Sequence, residues 1–370
     1  MTTYRNRLRK ILAGITIAAS LTAASGSVAQ ETTIRMTTTW PVSINLIEAD
    51  EHFTETVNRL GKGIIQIDFF PGGDLVPSGQ VFDAVRSGAI DASGDWPGYW
   101  AGTDTAFGVI GAFPMLLGAE DYRNWITNWG GAELIDKVYG KYDMKYLPYY
   151  VISSESGLRS TSPITSLEDM SGKRVRMSGR AQGEILRQLG AAQVQLPGSE
   201  IYQALERGVI DAAEFSTPSS DWVMGFQEVT QHVITPGWHQ PGSVGGAMIK
   251  MSVWEGLNDQ QKAVLETAAQ ATMNWSTGHF ERGSAAAVRS FEEAGTEVHK
   301  LNEEELSRLQ DMSNQVLAEE SCANPLFAEV AVSMLEYLAD YEPWRAMQGV
   351  FAGGRNLSAM PDIEKVRSCS

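Results

Sequence analysis

The sequence predicts an α/β chain of two lobes, and three observations carry that prediction. Stretches with strand character alternate with amphipathic, helix-length stretches from end to end. One unit is written twice: GSEIYQALERGVIDAAE at 198–214 echoes PSGQVFDAVRSGAIDAS at 77–93. Finally, about 340 residues follow a leader-like N-terminus, more than one core usually holds. Each copy of the unit reads as a turn, a short amphipathic helix, and a Gly-apolar-Ile-Asp-Ala entry into a strand. In the second copy Ile201, Leu205 and Val209 keep helical spacing, with Gly208 near the helix end. A unit built twice, about 120 residues apart, implies two related lobes. A cleft between lobes is a natural place to hold a small molecule.

Residues 1–29 read as a signal peptide. Arg5, Arg7, Arg9 and Lys10 form a basic region, Ile11–Leu21 a short apolar core, and Ser27-Val28-Ala29 a small-x-small cleavage site. The apolar run is shorter than the roughly 20 residues a membrane span needs. Beyond it, strand Ile34–Thr39, helix Glu48–Leu60 and strand Ile64–Phe70 precede the first repeat copy. Asp95–Trp100 and Gly111–Leu117 are loops dense in aromatics and proline, Asp121–Lys137 is helical and Met144–Ile152 extended. SLEDMSG at 166–172 starts a second run: strand Arg174–Met177, helix Gln182–Leu189, strand Gln193–Leu196, the second copy, and strand Val209–Phe215. After the loop Val233–Gly242 come strand Ala247–Met251 and a long amphipathic helix, Asn258–Ala294, broken only by Gly278 and Gly283. Strand Thr296–Leu301, helix Glu303–Ser321 and a helical stretch from Phe327 to Ala339 close the chain.

Composition narrows the function classes. Removing the leader's four basic residues takes the formal net charge from −16 to −20, a poor charge for nucleic acid or anionic membranes. An anionic small molecule stays open, because one arginine in a cleft outweighs distant surface carboxylates. Cys322 and Cys369 either form one bridge pinning the tail or stand as two thiols; sequence does not report their distance. The five histidines are scattered, with no HExxH, CxxC or paired spacing, so no zinc site is expected. There is no P-loop, no GxSxG elbow and no nucleophile with its base, so an enzyme is not expected.

The segments SLEDMSGKRVRMSG, VQLPGSEIYQALERGVIDAAE and FFPGGDLVPSGQVFDAVRSGAIDAS recur in order with WAGTDTAFGVIGAFPMLLGAEDY and PGWHQPG. In these motifs the chain resembles the solute-binding proteins of tripartite ATP-independent periplasmic (TRAP) transporters, the DctP family, and within it the branch that binds 2-oxo acids. The resemblance covers nearly all of the mature chain. It implies a periplasmic protein of two α/β lobes with hinge strands, a long spanning helix and an extra C-terminal helix. Lobe one is expected at 30–152 plus about 243–285, lobe two at 153–242 plus about 286–322, and a helical tail at 323–370. The implied job is capture of an organic acid, first a 2-oxo or 2-hydroxy monocarboxylate, and its delivery to the membrane permease. A sodium or calcium ion bridging the ligand is part of that picture. The alternatives are a dicarboxylate or zwitterionic acid bound without metal, or a secreted carboxylate-based enzyme.

The resemblance also implies site residues. The ligand carboxylate pairs with Arg176, whose planar guanidinium gives two parallel N–H···O bonds and keeps its charge. Alternation puts Arg174 on the same face, so spacing alone does not choose between the two; the resemblance selects Arg176. Glu214 and the carbonyl of Phe215 stand where the branch contributes to a metal site, with Phe215 replacing Trp. Gln240 replaces the branch's Glu in the PGW-x-Glu loop. Counting back from Arg176 without gaps puts Glu155 where the branch has Gln, an exchange that keeps two carboxylates for a hard cation. With a gap, Arg159 points into the cleft instead, which suits a dicarboxylate. Trp40, Trp100 and Trp238, with Trp96 and Tyr99, are candidate aromatic walls that exclude water. Among these Trp40 and Trp238 are preferred, and His239 reads as a satisfied loop histidine. In the tail, Val330, Met334, Leu335, Leu338 and Trp344 need a surface to bury against. The branch uses such a helix to make a homodimer; packing back on the same chain is the equal alternative.

Overall fold

The structure is a computed structural model that describes residues 31–348. The signal-peptide reading and Cys369 lie outside those residues; Cys322 is exposed near the end of a helix. No described helix is long and apolar enough to cross a membrane. In chain order the strands are β1 (Thr32–Thr38), β2 (Ile65–Phe69), β3 (Ala92–Asp95), β4 (Met144–Ile152), β5 (Leu158–Ser160), β6 (Arg174–Arg176), β7 (Ala192–Val194), β8 (Ala212–Ala213), β9 (His232–Thr235), β10 (Ser243–Lys250) and β11 (Glu297–Lys300). They form a five-stranded sheet ordered β2-β1-β3-β10-β4 and a six-stranded sheet ordered β11-β9-β5-β8-β6-β7. In the first, β1 runs parallel to β2 and β3, and β10 antiparallel to β3 and β4. In the second, β6 runs parallel to β7 and β8, β11 parallel to β9, and β5 antiparallel to β8 and β9.

The chain passes between the sheets at three places. β4 leads across to β5 through 153–157, and β9 returns to β10 through 236–242. The third passage is the helix Asp259–Glu293, 35 residues and thus about 52 Å long. Asn258 starts it with a capping box, accepting from the Gln261 N–H at 3.0 Å while the Gln261 side chain accepts from the Asn258 N–H at 2.9 Å. Ser276 and Thr277 bond the backbone of Val151 on β4. Farther along, Phe291 meets Trp222 edge-on at 5.1 Å on the second sheet's side. Gly278 and Gly283 do not interrupt this helix, contrary to the sequence reading, because packing on both sheets outweighs a propensity cost of about 1 kcal/mol per glycine.

The repeat is real at the level of single hydrogen bonds. The helices Val81–Ser87 and Ile201–Glu206 each follow a single 3₁₀ turn. After them the N–H groups of Ala89 and Ile90 both reach Ala84 O, at 2.9 and 3.3 Å, and those of Val209 and Ile210 both reach Ala204 O, at 2.8 and 3.3 Å. Gly88 (φ 78°) and Gly208 (φ 66°) make that reversal in the left-handed region, where a side chain would be strained although nothing blocks it sterically. The exits then feed β3 and β8.

Several boundaries differ from the sequence reading. The helix expected at 121–137 is two, Ala119–Asn128 and Gly131–Gly140. The strand expected at 209–215 shrinks to β8, since residues 214–217 bend away toward the cleft. The short strands β5 and β9 were not anticipated. The terminal helix is longer, Pro325–Gln348. That helix packs back on its own chain, burying Phe327, Val330, Met334 and Tyr337. Trp125 Nε1 donates to Ser333 Oγ at 3.0 Å and the Tyr337 hydroxyl to Asp121 at 2.9 Å. Leu335 and Trp344, read as needing a surface, are exposed together with Val332 and Met347.

Two buried carboxyls give the fold a pH signature. Asp50 on helix Ile47–Leu60 accepts hydrogen bonds from Thr38 and Tyr149. Asp95 on β3 accepts from Trp100 Nε1 at 2.5 Å and the Tyr139 hydroxyl at 3.0 Å. Burial dominates those bonds and pushes each carboxyl from 3.8 up to about 7. A raised folded-state pKa means the folded protein holds a proton the unfolded chain has lost. The stabilisation is complete below about pH 4 and disappears as pH rises through about 7, an upper contribution of roughly 4 kcal/mol per carboxyl. Asp50→Asn is therefore expected to gain stability relative to wild type between pH 4 and 7, measured by urea unfolding; a pH-independent difference would refute this.

Candidate functional site

The carboxyl ends of β1, β3, β6 and β8 point into the space between the sheets, where parallel α/β sheets present their ligand-binding loops. Both crossing segments run through the same space. Arg176 ends β6. Glu214 and Phe215 follow β8, Trp40 follows β1, and Trp96 and Tyr99 follow β3. Glu155 lies in the β4–β5 crossing, and His239 and Gln240 lie in the β9–β10 crossing. The crossings are locked together: the Glu155 N–H donates to Gln240 O at 3.1 Å, and a Cβ on Gly237 would stand 2.2 Å from Glu155 O. That close approach requires glycine.

These segments enclose a small cavity lined by Trp40, Tyr99, Glu155, Arg176, Phe215 and Gln240, with Ser178 and Ser216 among its polar walls. It shares Trp40, Tyr99, Arg176 and Ser178 with a wider cleft of about 610 Å³. Arg176 is only 1% exposed. Its Nε donates to Leu196 O at 3.1 Å, and its Nη1 donates to Glu214 O at 2.8 Å and Glu214 Oε1 at 2.9 Å. The guanidinium lies 5.7 Å from the Phe215 ring centroid and beside the Tyr99 hydroxyl. Burial pushes that hydroxyl up to about 12 and Arg176 opposes the rise, so Tyr99 stays a neutral donor.

Two carboxyls face each other beside this arginine. Glu214 Oε1 also accepts from the Ser178 N–H at 2.6 Å and the Ser178 hydroxyl at 3.0 Å, while Oε2 is buried with no partner. Glu155 is held well above the ordinary range, first by burial and then by the Glu214 charge, with Arg176 opposing. His239 Nε2 stands 2.8 Å from Glu155 Oε2. Burial lowers His239 to about 4, so it is neutral and shares a single proton with Glu155 across this contact. Its Nδ1 is buried without a partner, so the histidine is only half satisfied. Glu155, Glu214 and His239 can each place one donor atom within 4.8 Å of the others. An orphaned carboxylate oxygen and two crowded carboxyls fit a cation between them.

Other expected residues are placed elsewhere. Arg159 does not enter the cleft: its Nε donates to buried Asp221 at 2.6 Å and its guanidinium covers the Phe291 ring at 3.5 Å. Trp238 packs in the hydrophobic core beside His239 instead of lining the cavity. Trp100 lines only the outer cleft, since its Nε1 is held by Asp95 and its ring packs on Phe82 at 5.1 Å. Sequence reasoning missed Ser178, two residues beyond Arg176, where continued alternation was a usable signal. It also missed Gln182, whose side chain holds His239 O at 2.9 Å and gave no signal.

Residues 36–322 match the family model for bacterial extracellular solute-binding protein, family 7 (DctP). The chain belongs to the DctP family. A DctP relative from Nostoc sp., named monocarboxylate 2-oxoacid-binding periplasmic protein, is 28% identical over 87% of this chain and 85% of its own length. Among solved DctP-like structures, a TRAP transporter solute-binding protein from Bordetella bronchiseptica superposes with a TM-score of 0.82. It is 28% identical, with 86% of this chain and 95% of that one covered. That protein is a mixed-occupancy dimer with copurified calcium and picolinate in one site. A TRAP periplasmic solute-binding protein from Colwellia psychrerythraea, with bound calcium and pyruvate, gives 0.81 at 25% identity and covers 86% of this chain and 97% of that one. The DctP family comprises solute-binding proteins, so the chain falls among transport components.

Proposed function

We propose that this protein captures a small 2-oxo or 2-hydroxy monocarboxylate together with a sodium or calcium ion and delivers it to the permease of a TRAP transporter. The observation that carries this reading is the buried Arg176–Glu214–Glu155 arrangement at the meeting of the two crossing segments. Arg176 would hold the ligand carboxylate through its guanidinium, with Tyr99 donating beside it. Glu214, Glu155, the Gln240 side chain and the Phe215 carbonyl would hold the cation. The cation supplies a positive centre for the ligand's carboxylate and 2-oxygen. His239 orients Glu155 through the Nε2–Oε2 contact, and Trp40 and Phe215 exclude water.

Charge counting favours a monocarboxylate. Arg176 and a divalent ion carry three positive charges; Glu214, Glu155 and one carboxylate carry three negative. A neutral set is what a buried site tolerates best. A sodium ion balances the same set with Glu155 protonated, whereas a dicarboxylate leaves an excess negative charge. Arg159 is already paired with buried Asp221, which weakens the support for the dicarboxylate alternative. Two carboxyls crowded beside Arg176 are better used as cation ligands than as a general base. A homodimer like the Bordetella one belongs to the same proposal, with the outward Val332, Leu335, Trp344 and Met347 as the face it would cover. Sedimentation at micromolar concentration reads it directly.

The test is a thermal-shift series on metal-stripped protein with pyruvate, lactate, malonate and an amino acid, each with and without sodium or calcium. The largest rise is expected for pyruvate or lactate with cation present, as linkage requires of a ligand that binds the folded state. A larger rise with malonate, independent of cation, would favour the dicarboxylate reading. Chemical conversion of the acid would favour the enzyme.

A further inference from the structure

We propose that His232, Glu297 and His299 form a surface site for a zinc-class transition-metal ion, separate from the ligand cavity. β9 and β11 pair in parallel at one edge of the six-stranded sheet, with Glu297 opposite His232 and His299 opposite Ile234. Glu297 and His299 are two residues apart and share one face of β11; the pairing brings His232 to the same face. The donor atoms lie close: His232 Nδ1 is 3.3 Å from His299 Nε2 and 3.3 Å from Glu297 Oε2, and the latter two are 3.9 Å apart. Zinc bonds to nitrogen and oxygen of about 2.0–2.1 Å, arranged tetrahedrally, need donor–donor edges of about 3.3–3.4 Å. Two edges match as they stand, and the third closes with a small rotation of Glu297, whose side chain is 66% exposed.

The donor set and surroundings fit the ion. Two imidazoles and one carboxylate select zinc, nickel or copper over calcium or magnesium. His232 is 8% exposed and anchors the site, while the edge position leaves the fourth coordination place open to water. The chain's net charge of −16 favours cations in general. Sequence spacing concealed the site because the two histidines are 67 residues apart and meet only through strand pairing. A bound ion would clamp β11, which follows the spanning helix, to β9, which leads into the loop carrying His239 and Gln240.

The test is competition of metal-stripped protein with a chromophoric chelator for Zn²⁺, in wild type, His299→Ala, Glu297→Gln and Glu214→Gln. The wild type is expected to take up one tight equivalent and to show a rise in melting temperature with Zn²⁺. That equivalent should weaken at least tenfold in His299→Ala and Glu297→Gln, whose side chains are partly exposed and whose melting temperatures without metal report folding. It should persist in Glu214→Gln, which disables the competing buried cluster. No tight equivalent in wild type, or one lost in Glu214→Gln and kept in His299→Ala, would overturn the proposal.

Discussion

Arg176→Ala is expected to weaken carboxylate binding by about 2–5 kcal/mol, roughly thirty-fold to several thousand-fold. The size follows from burial. At 1% exposure the guanidinium exchanges little with water, so an anion brought beside it without the arginine has no replacement partner. Removing it also leaves Glu214 and Glu155 facing each other with no counter-charge. Breaking a buried pair costs about 3–5 kcal/mol when the orphan stays ionised. The variant therefore needs circular dichroism and a melting curve beside the calorimetry. Arg176→Lys keeps the charge but not the fork, and an intermediate loss is expected. Near-native affinity in a folded Arg176→Ala would remove this residue from the site.

Glu214→Gln is expected to abolish the cation dependence of ligand binding. The substitution removes one of the two carboxylates proposed to hold the ion, and cation affinity should drop about 100-fold or more, because charge count sets affinity at oxygen sites. The Ser178 N–H and hydroxyl bonds can persist to the amide oxygen, so the local backbone is expected to hold. Arg176 would lose its ion-pair partner and Glu155 the like charge that helps raise it. Acid binding without cation should therefore be retained or improved while the response to calcium or sodium vanishes. Calorimetry with and without the ion measures both. An unchanged cation response would place the metal elsewhere.

The sequence showed the architecture through hydrophobic periodicity and through the repeat, whose two helix exits share the same pair of hydrogen bonds. What separates Arg174 from Arg176 was not in the periodicity. Both occupy one face of a three-residue strand, but Arg174 sits at its amino end, paired with Asp211 on the surface. Arg176 sits at the carboxyl end, where the sheet opens on the cleft. Strand direction, which depends on how distant segments assemble, decides between them. Arg159 illustrates the same limit: its partner Asp221 is 62 residues away and nothing local announces it. Trp238 was misplaced because a loop aromatic beside a Gly/Pro turn reads alike whether it closes a cavity, as Trp40 does, or fills a core, as Trp238 does. His239 was read as a satisfied histidine. Its bond to Glu155 depends on two crossings that come together only in the folded chain.

Arg176 and a cation held by Glu214 and Glu155 are proposed to bind a monocarboxylate together, between the two sheets. A crystal structure with pyruvate and calcium tests this most directly. The pyruvate carboxylate is expected against the Arg176 guanidinium, with anomalous density for calcium within bonding distance of Glu214 and Glu155. Pyruvate bound away from Arg176, or bound there with no ion between the two glutamates at saturating calcium, would contradict it.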